Sequence, residues 1–229
     1  MKTIFVCFLL MMMIPAGPAF SQTPEARFLE VNGVVEIKEQ EGGASPDWKR
    51  AAPGDLVDSN TVVSTGLKSS AVISLGSSRL EVRPLTMLTL RELVMRGNTE
   101  ETVLYLRTGR VRAVVNPPAG QNVDFTVSAP IVTASVRGTS FEFDGIHLQV
   151  DDGRVLLTGA NRQKVYVARE QRSYVDETSR NRITPPFEAE AALLRPVLPE
   201  LNHTGSSAEA PETMIAPKPD STLIHIGWP

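Results

Sequence analysis

Cysteine is all but missing from this chain: among its 229 residues only Cys7 carries a thiol. One cysteine cannot close an intramolecular disulfide, so the fold must be held by its hydrophobic core. Histidine is nearly as scarce. His147, His203 and His225 are too scattered for a zinc site, whose ligands come at close spacing. A Gly-x-Ser-x-Gly elbow is absent, which removes the usual signature of a serine hydrolase. Nor does a glycine-rich loop precede a helical pattern, so phosphate cradling is not indicated and no cofactor is expected. After the first residues no long apolar run recurs, so no transmembrane helix is expected. The formal net charge of −3 leaves no electrostatic footprint for nucleic acid.

What is present begins with a targeting pattern. Lys2 supplies a positive start, residues 4–14 are apolar, and Ala19-Phe20-Ser21 offers small residues where a signal peptidase reads. Residues 1–21 are expected to be a signal peptide cleaved before Gln22, giving a periplasmic or secreted protein with no stable membrane insertion. An N-terminal membrane anchor is the alternative, but the run is shorter than the roughly 20 residues a bilayer requires. Cys7 lies inside the apolar run without the small-residue context of a lipid-anchor cysteine.

Residues 28–175 read as a succession of short strands. Val31-x-Gly33-x-Val35-x-Ile37 alternates as one strand, and the same period of two continues through Val62, Ala71, Ile73, Leu75, Leu80, Val82, Leu88 and Leu90. Phe141 and Phe143, Leu148 and Val150, and Val155 and Leu157 are apolar pairs separated by Asp144-Gly145 and Asp152-Gly153. These are strands with one apolar face, joined by turns in which Gly and Asp tolerate positive φ. Strands every 8–12 residues or so suggest an all-β sandwich, barrel or short solenoid. Residues 183–198 read as a short helix and linker, with Phe187, Ala191 and Leu194 on one face and Pro196 as the stop. From 199 to 229 the composition is that of a disordered, Pro-rich tail. Its apolar tip, Leu223, Ile224 and Ile226, is expected to add as a strand to a sheet edge of this domain or of a partner, or else to have no role.

The polar residues offer little chemistry. Asp151-Asp152 could ligate a metal or act as an acid–base pair, but adjacent strand residues point to opposite faces, so a turn at Asp152-Gly153 is the expected reading. Arg107, Arg110, Arg112 and Arg137 could line an anion-binding groove, or simply solvate a strand face. Trp48 could be an exposed anchor for a sugar or peptide, or a lid on the end of the core.

The order of these pieces resembles one family, the FecR domain of bacterial extracytoplasmic proteins. Its opening strand is matched by Val31, Gly33, Val35 and Ile37, followed by Trp48 and Gly54. A Thr-Gly step and alternating strand appear as Thr65-Gly66 and Ala71-x-Ile73-x-Leu75, and a Gly-Arg-Val strand as Gly109-Arg110-Val111. The corner Gly138-Thr139-Ser140-Phe141-Glu142-Phe143 and the closing Val150-Asp151-Asp152-Gly153-Arg154-Val155 complete it. Two turns depart from the pattern, with Asn60-Thr61 before the Thr-Gly step and Gly76-Ser77-Ser78 in place of Asp-Gly-Ser. Asparagine can still take the left-handed conformation. The resemblance implies an all-β domain, solenoid-like or jelly-roll-like, that binds partners and has no known catalytic centre. The best-known members are inner-membrane regulators whose cytoplasmic tail controls a sigma factor. No such tail and no retained membrane helix is read here. The expected function is a non-catalytic module that binds another envelope protein or a cell-envelope polymer, with a role in envelope signalling. The rivals are a polysaccharide-acting enzyme and a cell-wall-binding module relying on Trp48 and the arginines.

Overall fold

The computed structural model describes residues 24–39 and 47–193. The chain builds two sheets by alternating between them. Strand β1 (Ala26–Asn32) starts the first sheet, and β2 (Val35–Glu39), β3 (Lys49–Arg50) and β4 (Thr61–Thr65) start the second. Strands β5 (Ser70–Leu75) and β6 (Ser78–Val82) return to the first, and β7 (Met87–Arg96) and β8 (Thr99–Thr108) to the second. β9 (Val111–Val115) belongs to the first sheet, β10 (Asn122–Ser128) and β11 (Val132–Val136) to the second, and β12 (Thr139–Phe143) and β13 (His147–Asp152) to the first. β14 (Arg154–Gly159) and β15 (Lys164–Ala168) then join the second, and β16 (Arg172–Asp176) and β17 (Arg182–Thr184) finish the first. Strand order in the first sheet follows chain order, 1-5-6-9-12-13-16-17. In that sheet no strand is skipped and revisited, as a Greek key would require; in the second sheet the one departure is β4, which returns to pair with β2 on the side away from β3. Of the two expected architectures this is the solenoid-like one.

The crossings follow a simple rule. The first four between the sheets, at 33–34, 66–69, 83–86 and 109–110, lie on one rim of the sandwich. The last four, at 116–121, 137–138, 153 and 169–171, lie on the opposite rim. β9 enters at one rim and leaves at the other. The coil β8–β9–β10 therefore brings β10 back beside β8 in the same direction, the one parallel pair among the described strands.

Gly33 corrects the expectation of a single strand from Val31 to Ile37. It has φ of 76°, and a Cβ there would lie 2.5 Å from Ser69 Oγ, so the chain turns and passes from the first sheet to the second. Asn60 has φ of 69°, as expected of the residue standing in a glycine position.

One apolar core fills the space between the sheets. Phe141 and Phe143 are fully buried, with Leu148 and Val150 beside them on the same sheet. Val155 and Leu157 reach the same core from the opposite sheet. Across the interface Phe125 meets Phe141 edge-on, with centroids 6.3 Å apart and ring planes at 72°. The β-structure runs past the expected boundary at Val175: Ile183 on β17 is fully buried, and its backbone N–H and C=O are both paired by the Gln163 side chain at 2.9 Å. The helix α1 (Pro186–Leu193) differs from expectation in its buried face. Phe187 is 71% exposed and Ala191 is exposed, while Ala189 is buried. So short a helix docks one small side chain against β16. Leu194 lies outside the described residues, as do the targeting segment 1–21 and the tail 199–229.

Glu100 was not singled out in the sequence. It is a carboxylate only 4% exposed at the start of β8. It accepts hydrogen bonds from the Ser77 backbone N–H at 3.1 Å and the Ser77 hydroxyl at 2.9 Å. The second sheet thus clamps the β5–β6 turn of the first, and the bonds offset the cost of burying the charge.

Candidate functional site

The two outer faces of the sandwich differ in chemistry. Alternate residues of each strand point outward, and the registers set which of them become neighbours. On the first sheet the outward residues are mostly charged and answer one another. Arg112 meets Asp151 at 2.8 Å, Arg110 meets Glu142 at 3.3 Å and Asp144 at 3.5 Å, and Arg83 meets Glu81 at 3.4 Å. Asp144 also accepts from the backbone N–H groups of Ile146 at 3.0 Å and His147 at 2.6 Å. Burial pushes its carboxyl up, but these donors and the His147 imidazole outweigh that and hold it below the usual carboxylate value. Between this face and α1 lies a cavity of about 400 Å³ lined by Arg110, His147, Arg172, Tyr174 and Leu193.

The second sheet presents rows running across its strands. One row is Val103, Thr126, Ser135, Leu156 and Tyr166. The next is Tyr105, Ser128, Thr133, Thr158 and Lys164. Nearer the rim, Asp124 pairs with Arg137 at 2.7 Å and Glu101 with Arg96 at 2.7 Å. The Arg91 guanidinium stands 4.8 Å over the Tyr105 ring, and that of Arg154 stands 5.9 Å over the Tyr166 ring.

The four arginines singled out in the sequence are thus divided. Arg110 and Arg112 lie in the ion-pair lattice of the first sheet, while Arg107 and Arg137 belong to the second. Trp48 is 41% exposed beside the two-residue edge strand β3 and outside the buried core, so it is not a lid on that core. At the Gly138-Thr139 corner, Gly138 has φ of 83° and Gly153 has φ of 81°. The Thr139 hydroxyl donates to the Arg154 carbonyl at 3.1 Å and accepts from the Arg154 N–H at 3.3 Å, tying β12 to β14. Asp151 and Asp152 diverge, the first toward Arg112 and the second toward Arg169 at 3.8 Å. Leu223, Ile224 and Ile226 lie outside the described residues. Among the described residues no group of three or more His, Cys, Asp and Glu could hold a metal, and no helix is long and apolar enough to cross a membrane.

Residues 61–158, from β4 almost to the end of β14, match the family model described as FecR protein. That segment is similar to a FecR domain. The match includes the β8–β9–β10 coil and the crossings on both rims, and leaves Trp48 and the opening strands outside it. FecR proteins are a family of envelope-associated regulators. Among solved structures, two crystal structures of a protein provisionally assigned as an anti-sigma factor from Parabacteroides distasonis are similar. They share 14% and 13% identity with this chain over 58% of its length, each with a TM-score of 0.45. The match spans 64% and 63% of those chains, just under two thirds of their length. No curated protein matches the sequence.

Proposed function

We propose that this chain is a non-catalytic FecR-type binding module that engages a protein partner in envelope signalling from the periplasm or the outside of the cell. The observation that carries the reading is the FecR match itself, laid over a sandwich built around one apolar core, with the buried Glu100 carboxylate bonded to Ser77. A rigid scaffold of this kind works through its outward side chains. Arg110 and Arg112 on the first sheet, Trp48 at its exposed edge position, and the segment Leu223, Ile224 and Ile226 are the proposed contacts. Strand addition by that apolar segment to a partner's sheet would use main-chain hydrogen bonds for affinity.

In-cell crosslinking of the fractionated envelope, read by mass spectrometry, tests this. One recurring envelope protein, with crosslinks mapping to those positions, is the expected result. N-terminal sequencing of the same material is expected to start at or near Gln22. An intact Met1 end in a membrane fraction would overturn the compartment.

A further inference from the structure

The outer face of the second sheet carries a surface that neither the core nor the ion pairs account for. Six outward positions on β10, β11 and β14 form its centre, and five of them are hydroxyl side chains: Thr126, Ser128, Thr133, Ser135 and Thr158. A hydroxyl floor is a poor centre for a protein interface, which is normally built on apolar and aromatic anchors sunk in desolvated pockets. It is well suited to a ligand that is itself made of hydroxyls.

The ends of the floor add two further features. Tyr166 is 63% exposed on one side, and Tyr105 lies at the other end of the rows. Each has an arginine against its ring. The carboxylates on this face, Glu92, Glu101 and Asp124, are already matched, both glutamates by Arg96 and Asp124 by Arg137. Arg91, Arg154 and Lys164 form no ion pair among the described residues. The face therefore keeps an unanswered positive charge on a chain whose net charge is −3.

We propose that this face binds an extended anionic polysaccharide laid across the strands of β8, β10, β11, β14 and β15. Neighbouring strands are about 4.8 Å apart, close to the length of one pyranose ring, so successive sugars meet successive hydroxyls. One ring stacks on Tyr166, and a uronate carboxylate pairs with Arg154 beside it. An open concavity of about 1140 Å³ lies over the row Val103, Thr126, Ser135, Leu156 and Tyr166 and the rim beside it, which suits a polymer segment more than a single metabolite. The proposed protein contacts Arg110 and Arg112 lie on the first sheet and Trp48 lies beside β3, at the edge of the second sheet opposite β15, so either site can fail without the other.

The test uses the full chain in affinity electrophoresis with three probes: polygalacturonate, neutral dextran and polyglutamate. Polygalacturonate is expected to bind about tenfold more tightly than either of the others. Y166A, and separately the double variant T126V/S135V, are expected to weaken it about tenfold, while R79A on the first sheet leaves it unchanged. All the altered side chains point outward, and a melting curve confirms that each variant is folded. Equal binding of polyglutamate, with loss in R154A but none in Y166A or T126V/S135V, would show a non-selective cationic patch that an acidic protein could use, and would overturn the proposal. So would the absence of binding to polygalacturonate.

Discussion

The first and second sheets share one core yet present opposite kinds of surface. The first sheet's outer face is a lattice in which nearly every charge has a partner within 4 Å. The second sheet's face is paved with hydroxyls and keeps Arg91 and Arg154 on aromatic rings. Buried residues of the two sheets are alike in type, since both feed the same interior. The lesson is that the alternation of a strand separates two tasks: inward positions answer to packing, and outward positions are left to be chosen for what they meet.

The largest effect should come from the shared core. Phe125→Ala on the second sheet and Phe141→Ala on the first are each expected to cost about 3–5 kcal/mol. Thermal melts should show one transition in both variants. Two separate transitions would mean that the sheets are independent units and the comparison is between two domains.

The links between the sheets come next. Glu100→Ala leaves the part-buried Ser77 N–H and hydroxyl without their acceptor and is expected to cost about 1–3 kcal/mol. Gly138→Val forces a β-branched residue to φ of 83°, with a Cβ 3.2 Å from Pro117 Cδ, and should cost about 1–3 kcal/mol. Denaturant midpoints equal to wild type in both would show that these corners are slack.

Changes confined to one face should be smaller. Arg112→Ala removes a half-exposed ion pair and is expected to cost at most about 1 kcal/mol, less at high salt. Thr126→Val on the other face should leave the melting temperature within error at any salt. A salt-dependent Thr126 variant would contradict the division between the faces.

The smallest effect concerns acid. Asp144 titrates below its ordinary value of 3.8, so its ionised form stabilises the fold. That contribution is present at neutral pH, above the unfolded value, and is lost as pH falls through the lower folded value. The gap in melting temperature between wild type and Asp144→Asn should shrink on acidification below 3.8. A gap that widens in acid would reverse the sign. Asp176, held down to about 2 by the Thr178 and Ser179 side chains, follows the same direction on the same sheet.

Much of this molecule is written in period-two alternation and in its turn residues. Phe141, Phe143, Leu148 and Val150 are buried as their spacing implies, and Asp144-Gly145 joins β12 to β13. Alternating hydroxyls at Thr126-x-Ser128 and Thr133-x-Ser135 were also visible, but as ordinary strand polarity. Glu100 gave no local sign of burial, because its partner Ser77 is 23 residues away on the other sheet. The split of the arginines was likewise hidden: Arg107 and Arg112 are five positions apart but separated by a crossing.

By itself, then, the sequence determined that the fold is all-β, which residues face inward, and where the chain must turn. Those properties depend on neighbours one to four positions away, through side-chain alternation and the φ values open to Gly, Asn and Asp. Only the tertiary structure decided which sheet each strand joins, that the crossings change rim at β9, and that hydroxyls from three strands form one floor. Those depend on register between segments distant in the chain, which is set by how both sheets close over a common core.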